Sequence, residues 1–195
     1  MIGARSSASS QAGRIEDGAR VEDTELHSQG FRPVANAESR VLILGTLPGP
    51  ESLRQKRYYA QERNAFWRIM GELFGAGPEI PYGERLGILK RNRVALWDVC
   101  HRAYREGALD ADIDPESVEP NDFPTFLKSH PGIQLICFNG QKAAQLYERL
   151  VLPGLTESRQ RIPRVTLPST SPAHAAMRFQ EKLRRWEVVR RESRI

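Results

Sequence analysis

The sequence predicts an α/β fold: a mostly parallel, four-stranded sheet with helices covering both faces. Three observations lead there. Three short runs are mostly apolar instead of alternating, which is how strands buried on both faces read, and a fourth, Arg164 to Leu167, is a short strand closed by Pro168. Helical stripes of apolar residues lie between those runs, and strands that alternate with helices imply parallel crossovers. Gly, Pro or Asn-Gly closes the runs where the chain must turn.

Val41 to Gly45 (Val-Leu-Ile-Leu-Gly) is the first strand. Asn64 to Phe74 follows as a helix, with Phe66, Met70 and Phe74 on an i, i+4, i+8 stripe and Trp67 beside it. Gly75 to Pro81 reads as a loop, and Arg93 to Asp98 as the second strand. A helix over Asp122 to His130 starts from a capping Asn121 or Asp122. Ile133 to Phe138 is the third strand; Asn139-Gly140 then turns the chain into a helix over Gln141 to Leu150. The fourth strand, Arg164 to Leu167, is broken by Pro168 to His174. The last helix runs to about Glu192 on a stripe of Phe179, Leu183, Trp186 and Val189.

A chain of 195 residues is enough for one domain with a real core. We assign that domain to residues 28–195. Residues 1–27, rich in Ser, Gly and charge, are expected to be a disordered tail, with no apolar stretch of the kind a secretory signal needs. No apolar run reaches the roughly 18 residues of a membrane span. Cys100 and Cys137 form no CxxC pair and have no histidine at ligand spacing, so neither a zinc site nor a disulfide framework is expected, and a reducing cytoplasm fits best.

The net charge is +5, and residues 41–195 carry 24 basic against 18 acidic side chains. Arg178, Lys182, Arg184, Arg185, Arg190, Arg191 and Arg194 crowd the last helix. That balance suits a phosphate backbone as partner, and equally a solvated helix face.

Ligands of open α/β sheets bind outside the carboxyl ends of the strands. The segments of interest are therefore Gly45 to Ser52, Asp98 to His101, Asn139-Gly140 and Ser169 to His174. The first, Gly-Thr-Leu-Pro-Gly-Pro-Glu-Ser, lacks the Lys of a phosphate-binding loop and the glycine spacing of a dinucleotide fingerprint. Taken alone it is a tight turn. It is followed by Tyr58-Tyr-Ala60 and Asn64-Ala-Phe-Trp67. In order and spacing there follow Ala95-Leu-Trp-Asp-Val99, Phe138-Asn-Gly-Gln-Lys-Ala143 and Leu167-Pro-Ser-Thr-Ser-Pro-Ala173.

With these strings in register over roughly Gly30 to Arg191, the chain resembles the uracil-DNA glycosylase superfamily, and within it the hypoxanthine-DNA glycosylase branch. The resemblance implies a three-layer α/β/α sandwich and hydrolysis of an N-glycosidic bond. The base is first flipped out of the duplex, because its bond to the sugar is unreachable inside the stack. It implies a monofunctional enzyme, since no Lys stands at a matching pocket position to form a Schiff base. No metal or organic cofactor is expected. The implied partner is double-stranded DNA containing a deaminated base, hypoxanthine first, met by a cytoplasmic, nucleoid-associated monomer.

The site residues implied follow the motifs. Gly45, Leu47 and Pro48 of the first turn, with Tyr59 stacking on the extruded base, would bind the base. Leu47 stands where other branches place an Asp or Asn, and a Leu side chain cannot orient a water. Asn64 is the residue matching the branch's active-centre Asn, and it is equally placed to cap the helix ahead of Phe66; both roles can hold. Asn139, at a strand end, offers a donor and an acceptor to a purine edge and to charge developing on the leaving base. Asp98 and His101 could polarise a site, but an Asp closing a strand reads first as a helix cap. Ser169, Ser171 and His174 would contact DNA in the loop that enters the duplex. The rivals are a uracil-preferring glycosylase and a non-catalytic DNA- or nucleotide-binding module.

Overall fold

A computed structural model describes residues 27–194. Residues 1–26 and Ile195 lie outside the described residues, and with them all of the expected tail except His27, which opens the first strand.

Four parallel strands form the central sheet: β2 (Val41–Gly45), β3 (Val94–Asp98), β6 (Leu135–Asn139) and β7 (Arg164–Leu167), in the order β3-β2-β6-β7. All four are strands the sequence predicts, shifted by at most two residues. Every residue of β2, β3 and β6 is buried, as a sheet covered on both faces requires.

The two covering layers sort the strand residues by parity. Val41, Ile43, Val94, Leu96, Leu135 and Cys137 face one core with Phe66, Trp67, Ile69, Met70 and Trp186. These last belong to α2 (Phe66–Phe74) and α7 (Phe179–Arg194). Leu42, Leu44, Ala95, Trp97, Ile136 and Phe138 face the other core with Phe123, Phe126, Ala143 and Tyr147. Here α4 (Phe123–Ser129) and α5 (Gln141–Leu146) supply the cover. This is the three-layer α/β/α sandwich, its two cores separated by the alternation of side chains along each strand.

Several pieces escape the periodic reading. Helices α1 (Pro50–Gln55) and α3 (Tyr82–Arg91) carry little apolar surface; each is short and polar, and α3 holds Gly83 and Gly87, which weaken helical propensity. A second, antiparallel sheet joins β1 (His27–Gln29), β4 (Cys100–Tyr104) and β5 (Glu119–Pro120). Beyond α5 the chain widens into a π-type turn over Tyr147–Val151, so the single helix expected through Leu150 is two pieces. A short helix α6 (Glu157–Gln160) precedes β7. Among the described residues no helix is long and apolar enough to cross a membrane.

Candidate active site

The carboxyl ends of three adjacent strands place Asp98, Gly45 and Asn139 side by side. Gly45 pairs in register with Asp98, and Asn139 follows Phe138, the partner of Leu44. Each lies two residues beyond a member of the α2/α7 core, namely Leu96, Ile43 and Cys137, so all three project to that face. Gly45 has no side chain, and the carboxyl of Asp98 and the hydroxyl of Tyr59 close over it. A Cβ at Gly45 would come within 2.4 Å of Asp98 Oδ1 and 3.1 Å of the Tyr59 hydroxyl. Only glycine fits there.

Asp98 is no helix cap. It is 3% exposed, it is followed directly by Val99 and β4, and its Oδ2 has no hydrogen-bond partner. The cap expectation fails because the apolar Val99-Cys100 continues into a strand that turns back over the first motif. Val99 and Cys100 donate their N–H groups to the carbonyls of Gly45 and Thr46, at 2.9 and 3.0 Å. Burial raises the pKa of Asp98 to about 8, Asp110 pushes the same way, and Arg105 pulls against both. His101, on β4, is exposed.

The first turn is held from outside. Arg105, 5% exposed, donates from Nη2 to the carbonyl of Pro48 at 2.9 Å and to Ser28 Oγ at 3.3 Å. Thr46 donates its hydroxyl to Asp110 Oδ2 at 3.0 Å. Leu47 is buried in the core under α4 and α5, so its side chain packs there.

Tyr59 adopts a left-handed backbone, φ 53°, which is uncommon for a bulky residue. Its neighbours impose it. Tyr58 accepts the Trp67 indole N–H at its carbonyl and donates its own N–H to the Tyr82 hydroxyl, both at 2.9 Å. Ala60 N–H donates to Ser52 Oγ at 3.2 Å. The Tyr59 ring stacks on Phe66, centroids 3.9 Å apart and planes 19° apart, and its hydroxyl is buried without completing a hydrogen bond. Burial and then the Asp98 charge raise the Tyr59 pKa, with the Asn139 amide opposing them.

Asn139 and Asn64 are joined through one residue that the motif reading passed over. Asn139 Nδ2 donates to Thr170 Oγ1, and Thr170 N–H donates to Asn139 Oδ1, both at 2.8 Å. The Thr170 carbonyl accepts the N–H of Ala65 at 2.9 Å. Asn64 itself accepts the Phe66 N–H on Oδ1 at 3.0 Å, so the expected capping contact is present, and its half-buried Nδ2 donates to no described residue. Each amide retains part of its capacity: Asn139 one N–H and one lone pair, Asn64 two N–H groups and one lone pair.

The loop after β7 is built from local hydroxyl turns. Ser169 Oγ accepts from Ser171 N–H at 3.2 Å, and Ser171 Oγ from Ala173 N–H at 3.3 Å. Beneath it Lys182, 5% exposed, donates to the carbonyls of Ser169 at 2.6 Å and His174 at 3.3 Å. The Trp186 indole N–H reaches the Pro168 carbonyl at 3.0 Å. Lys182 thus leaves the basic face, while Arg178, Arg184, Arg185, Arg191 and Arg194 stay exposed, as does His174.

A family model for the uracil DNA glycosylase superfamily matches residues 32–191, which span every group just described except Ser28 and Arg194. The chain belongs to the uracil DNA glycosylase superfamily. Within the superfamily it is similar to a protein of Methanosarcina acetivorans named "Hypoxanthine DNA glycosylase", 38% identical over 83% of this chain and 96% of the relative. A protein of the same name from Methanosarcina barkeri is 39% identical over 65% of this chain and 78% of the relative. The solution NMR structure of a Methanosarcina acetivorans protein assigned to the uracil DNA glycosylases superposes with a TM-score of 0.72. It is 35% identical, over 87% of this chain and 99% of that one.

Of the residues expected at a superfamily site, Gly45, Tyr59, Asn64 and Asn139 gather around the carboxyl ends of β2 and β6. Pro48 contributes its carbonyl, and Ser169 and Ser171 shape the adjoining loop. No motif marks Thr170, Lys182 or Arg105 as a site residue, and Asp98 reads first as a cap. For Asp98 the signal was there: an acid at a strand end inside an otherwise apolar stretch, Val94 to Cys100.

Proposed function

We propose that this chain is a monofunctional DNA glycosylase that excises hypoxanthine from deoxyinosine in duplex DNA, as a step of base excision repair. The observation that carries this reading is the rim of Asp98, Gly45 and Asn139 with Asn64 tied to it through Thr170. Neutral amides face the site, while Leu47 of the first turn packs into the opposite core. Two relatives named for hypoxanthine support the choice of base.

In this reading the flipped nucleotide places its base beside Tyr59 and Asn139, at the carboxyl ends of β2 and β6. Asn139, already oriented by its two bonds to Thr170, offers its remaining N–H to the base. Asn64 holds water or the sugar through Nδ2 and its free lone pair. Fixed dipoles then stabilise the oxocarbenium-like sugar and the departing base, an arrangement in which one well-aimed donor is worth about 10² to 10³ in rate. Flipping costs a few kcal/mol, least for a mispaired base. The loop from Ser169 to His174, mounted on Lys182, enters the duplex, and exposed arginines of α7 meet phosphates. Residues 28–195 act as one domain and as a monomer, in the compartment that holds the DNA.

Three labelled duplexes test this: one with a single deoxyinosine, one with a single deoxyuridine, one undamaged, each treated with alkali after incubation. Alkali-dependent cleavage of the first above the second supports the reading. Faster cleavage of the deoxyuridine strand makes the chain a uracil enzyme, and intact strands throughout make it a binding module.

A further inference from the structure

At the amino-terminal ends of β2 and β3, opposite the candidate active site, a hollow of about 240 Å³ is lined by Arg91, Asn92, Arg93, Ser193 and Arg194. Arg91 ends α3, Arg194 ends α7, and Arg93 leads into β3. Among the described residues none of the three guanidiniums has an ion-pair or hydrogen-bond partner. Like charges gathered in one hollow repel each other, so the fold gains nothing by holding three of them together without an anion.

Helix capping does not account for them. A cation is favoured at the C-terminus of a helix by the open carbonyls of the last turn. In α3 those carbonyls already have donors. Ile88 accepts from the Asn92 N–H and from Asn92 Nδ2, Leu89 from the Asn92 N–H, and Lys90 from the Arg93 N–H and Asn36 Nδ2, all at 2.9 to 3.2 Å. In α7, Ser193 Oγ donates to the Arg190 carbonyl at 3.2 Å and Gln134 Nε2 to that of Glu192 at 3.0 Å.

Arg93 also sits in the left-handed region, φ 59°. Glycine or asparagine is the usual occupant of such a position just past a helix, because a Cβ is strained there. The turn itself is required: the Arg93 carbonyl accepts the N–H groups of Arg40 and Val41, at 2.8 and 3.2 Å, where the chain enters the sheet. The fold needs that backbone but not that side chain, and a long cation kept at a strained position points to a use for it.

We propose that this hollow is a second anion site, in which Arg91, Arg93 and Arg194 hold a phosphate group. A guanidinium is a planar fork that matches phosphate oxygens, stays charged at every physiological pH and is more weakly hydrated than an ammonium ion. No carboxylate lines the hollow to compete for the three forks. The site is separate from the excision centre and independent of the choice of base. α7 spans 16 residues, roughly 24 Å, between the loop that ends at His174 and the hollow. The phosphate therefore comes from a second stretch of DNA backbone or from free phosphate, and the chemistry that recognises it is the same.

The test uses the full chain labelled with nitrogen-15, titrated with inorganic phosphate at constant ionic strength and, separately, with an undamaged duplex. The backbone amides of Arg91, Asn92, Arg93, Ser193 and Arg194 should shift along a saturable curve. Arg93→Gly removes one guanidinium and relieves the left-handed strain. Its melting temperature should equal or exceed that of wild type while affinity at these amides falls about tenfold, the loss of one charge-assisted hydrogen bond. The double variant Arg91→Gln, Arg194→Gln should bind more weakly still. A duplex that shifts the same amides, and is displaced by inorganic phosphate, identifies a second DNA segment as the source; a duplex that leaves them in place while phosphate moves them identifies free phosphate. No saturable shift at these amides with either titrant, or wild-type affinity in both Arg93→Gly and the double variant, would overturn the proposal.

Discussion

Asn139 and Thr170 close a two-bond ring, Nδ2 to Oγ1 and N–H to Oδ1, each 2.8 Å long. The ring joins the end of the third parallel strand to the loop after the fourth. One amide therefore serves the site and the loop at once. Asn139→Ala should lower the single-turnover rate on a deoxyinosine duplex by about 10² to 10³. It should also cost roughly 1 to 3 kcal/mol of stability, two hydrogen bonds at about 0.5 to 1.5 each. Thr170→Ala removes the hydroxyl but keeps the backbone N–H, so its rate should fall less. Equal losses in both variants would mean that Asn139 acts only by holding the loop.

Asn64 carries a cap bond to Phe66 and an uncommitted Nδ2. The two roles separate in one experiment. Asn64→Asp preserves the capping oxygen and should retain the melting temperature, whereas Asn64→Ala should lose about 1 kcal/mol. Both should be slow if Nδ2 is the working atom; Asp should exceed Ala if an oxygen orients water. Wild-type rates in either folded variant would reduce Asn64 to a cap.

The sign of the Asp98 effect on stability follows from its raised pKa. An acid whose pKa rises on folding destabilises the folded state above its unfolded pKa, near 4, with the penalty growing until about pH 8 and constant beyond. Asp98→Asn should therefore melt higher than wild type at pH 8, and the gain should vanish toward pH 4. Even about 1 kcal/mol would appear as roughly 2 to 4 °C in a chain of this size. Differential scanning calorimetry at the two pH values decides it, and a lower melting temperature for Asp98→Asn at pH 8 would contradict the burial argument.

Lys182 grips the Ser169 and His174 carbonyls from below. Lys182→Met keeps the apolar stem and removes the donors, so excision should slow and the loop should become more sensitive to proteolysis, while overall stability falls by about 1.5 to 3 kcal/mol. Neutralising the exposed pair Arg184 and Arg185 should act differently. Binding should weaken for all duplexes alike and its salt dependence flatten, with the excision rate at saturation unchanged. Limited proteolysis and salt titrations separate the two sites.

How far the sequence carries is visible in particular residues. Three strands of the central sheet, β2, β3 and β6, were legible because residues buried on both faces leave no choice of period; β7, exposed at Arg164 and Thr166, was legible from the Pro168 that closes it. Gly45, Asn64 and Asn139 were legible because motifs mark them. The small antiparallel sheet was not: β1, β4 and β5 hold three, five and two residues of mixed polarity, and their pairing is set by distant segments. Asp98 was misread because its burial depends on the turn at Val99, which no local pattern announces. Lys182 looked like one more surface charge, since a helix stripe shows which positions face inward on average but not that a lysine can lie along it toward two carbonyls.

The most direct test is release of free hypoxanthine from a duplex with one deoxyinosine, measured by chromatography for wild type and Asn139→Ala under single-turnover conditions. The account predicts free base from the wild type, an abasic strand that breaks only with alkali, and release slowed about 10² to 10³ in a folded Asn139→Ala protein. No free base from the wild type, or equal release from both proteins, would contradict it.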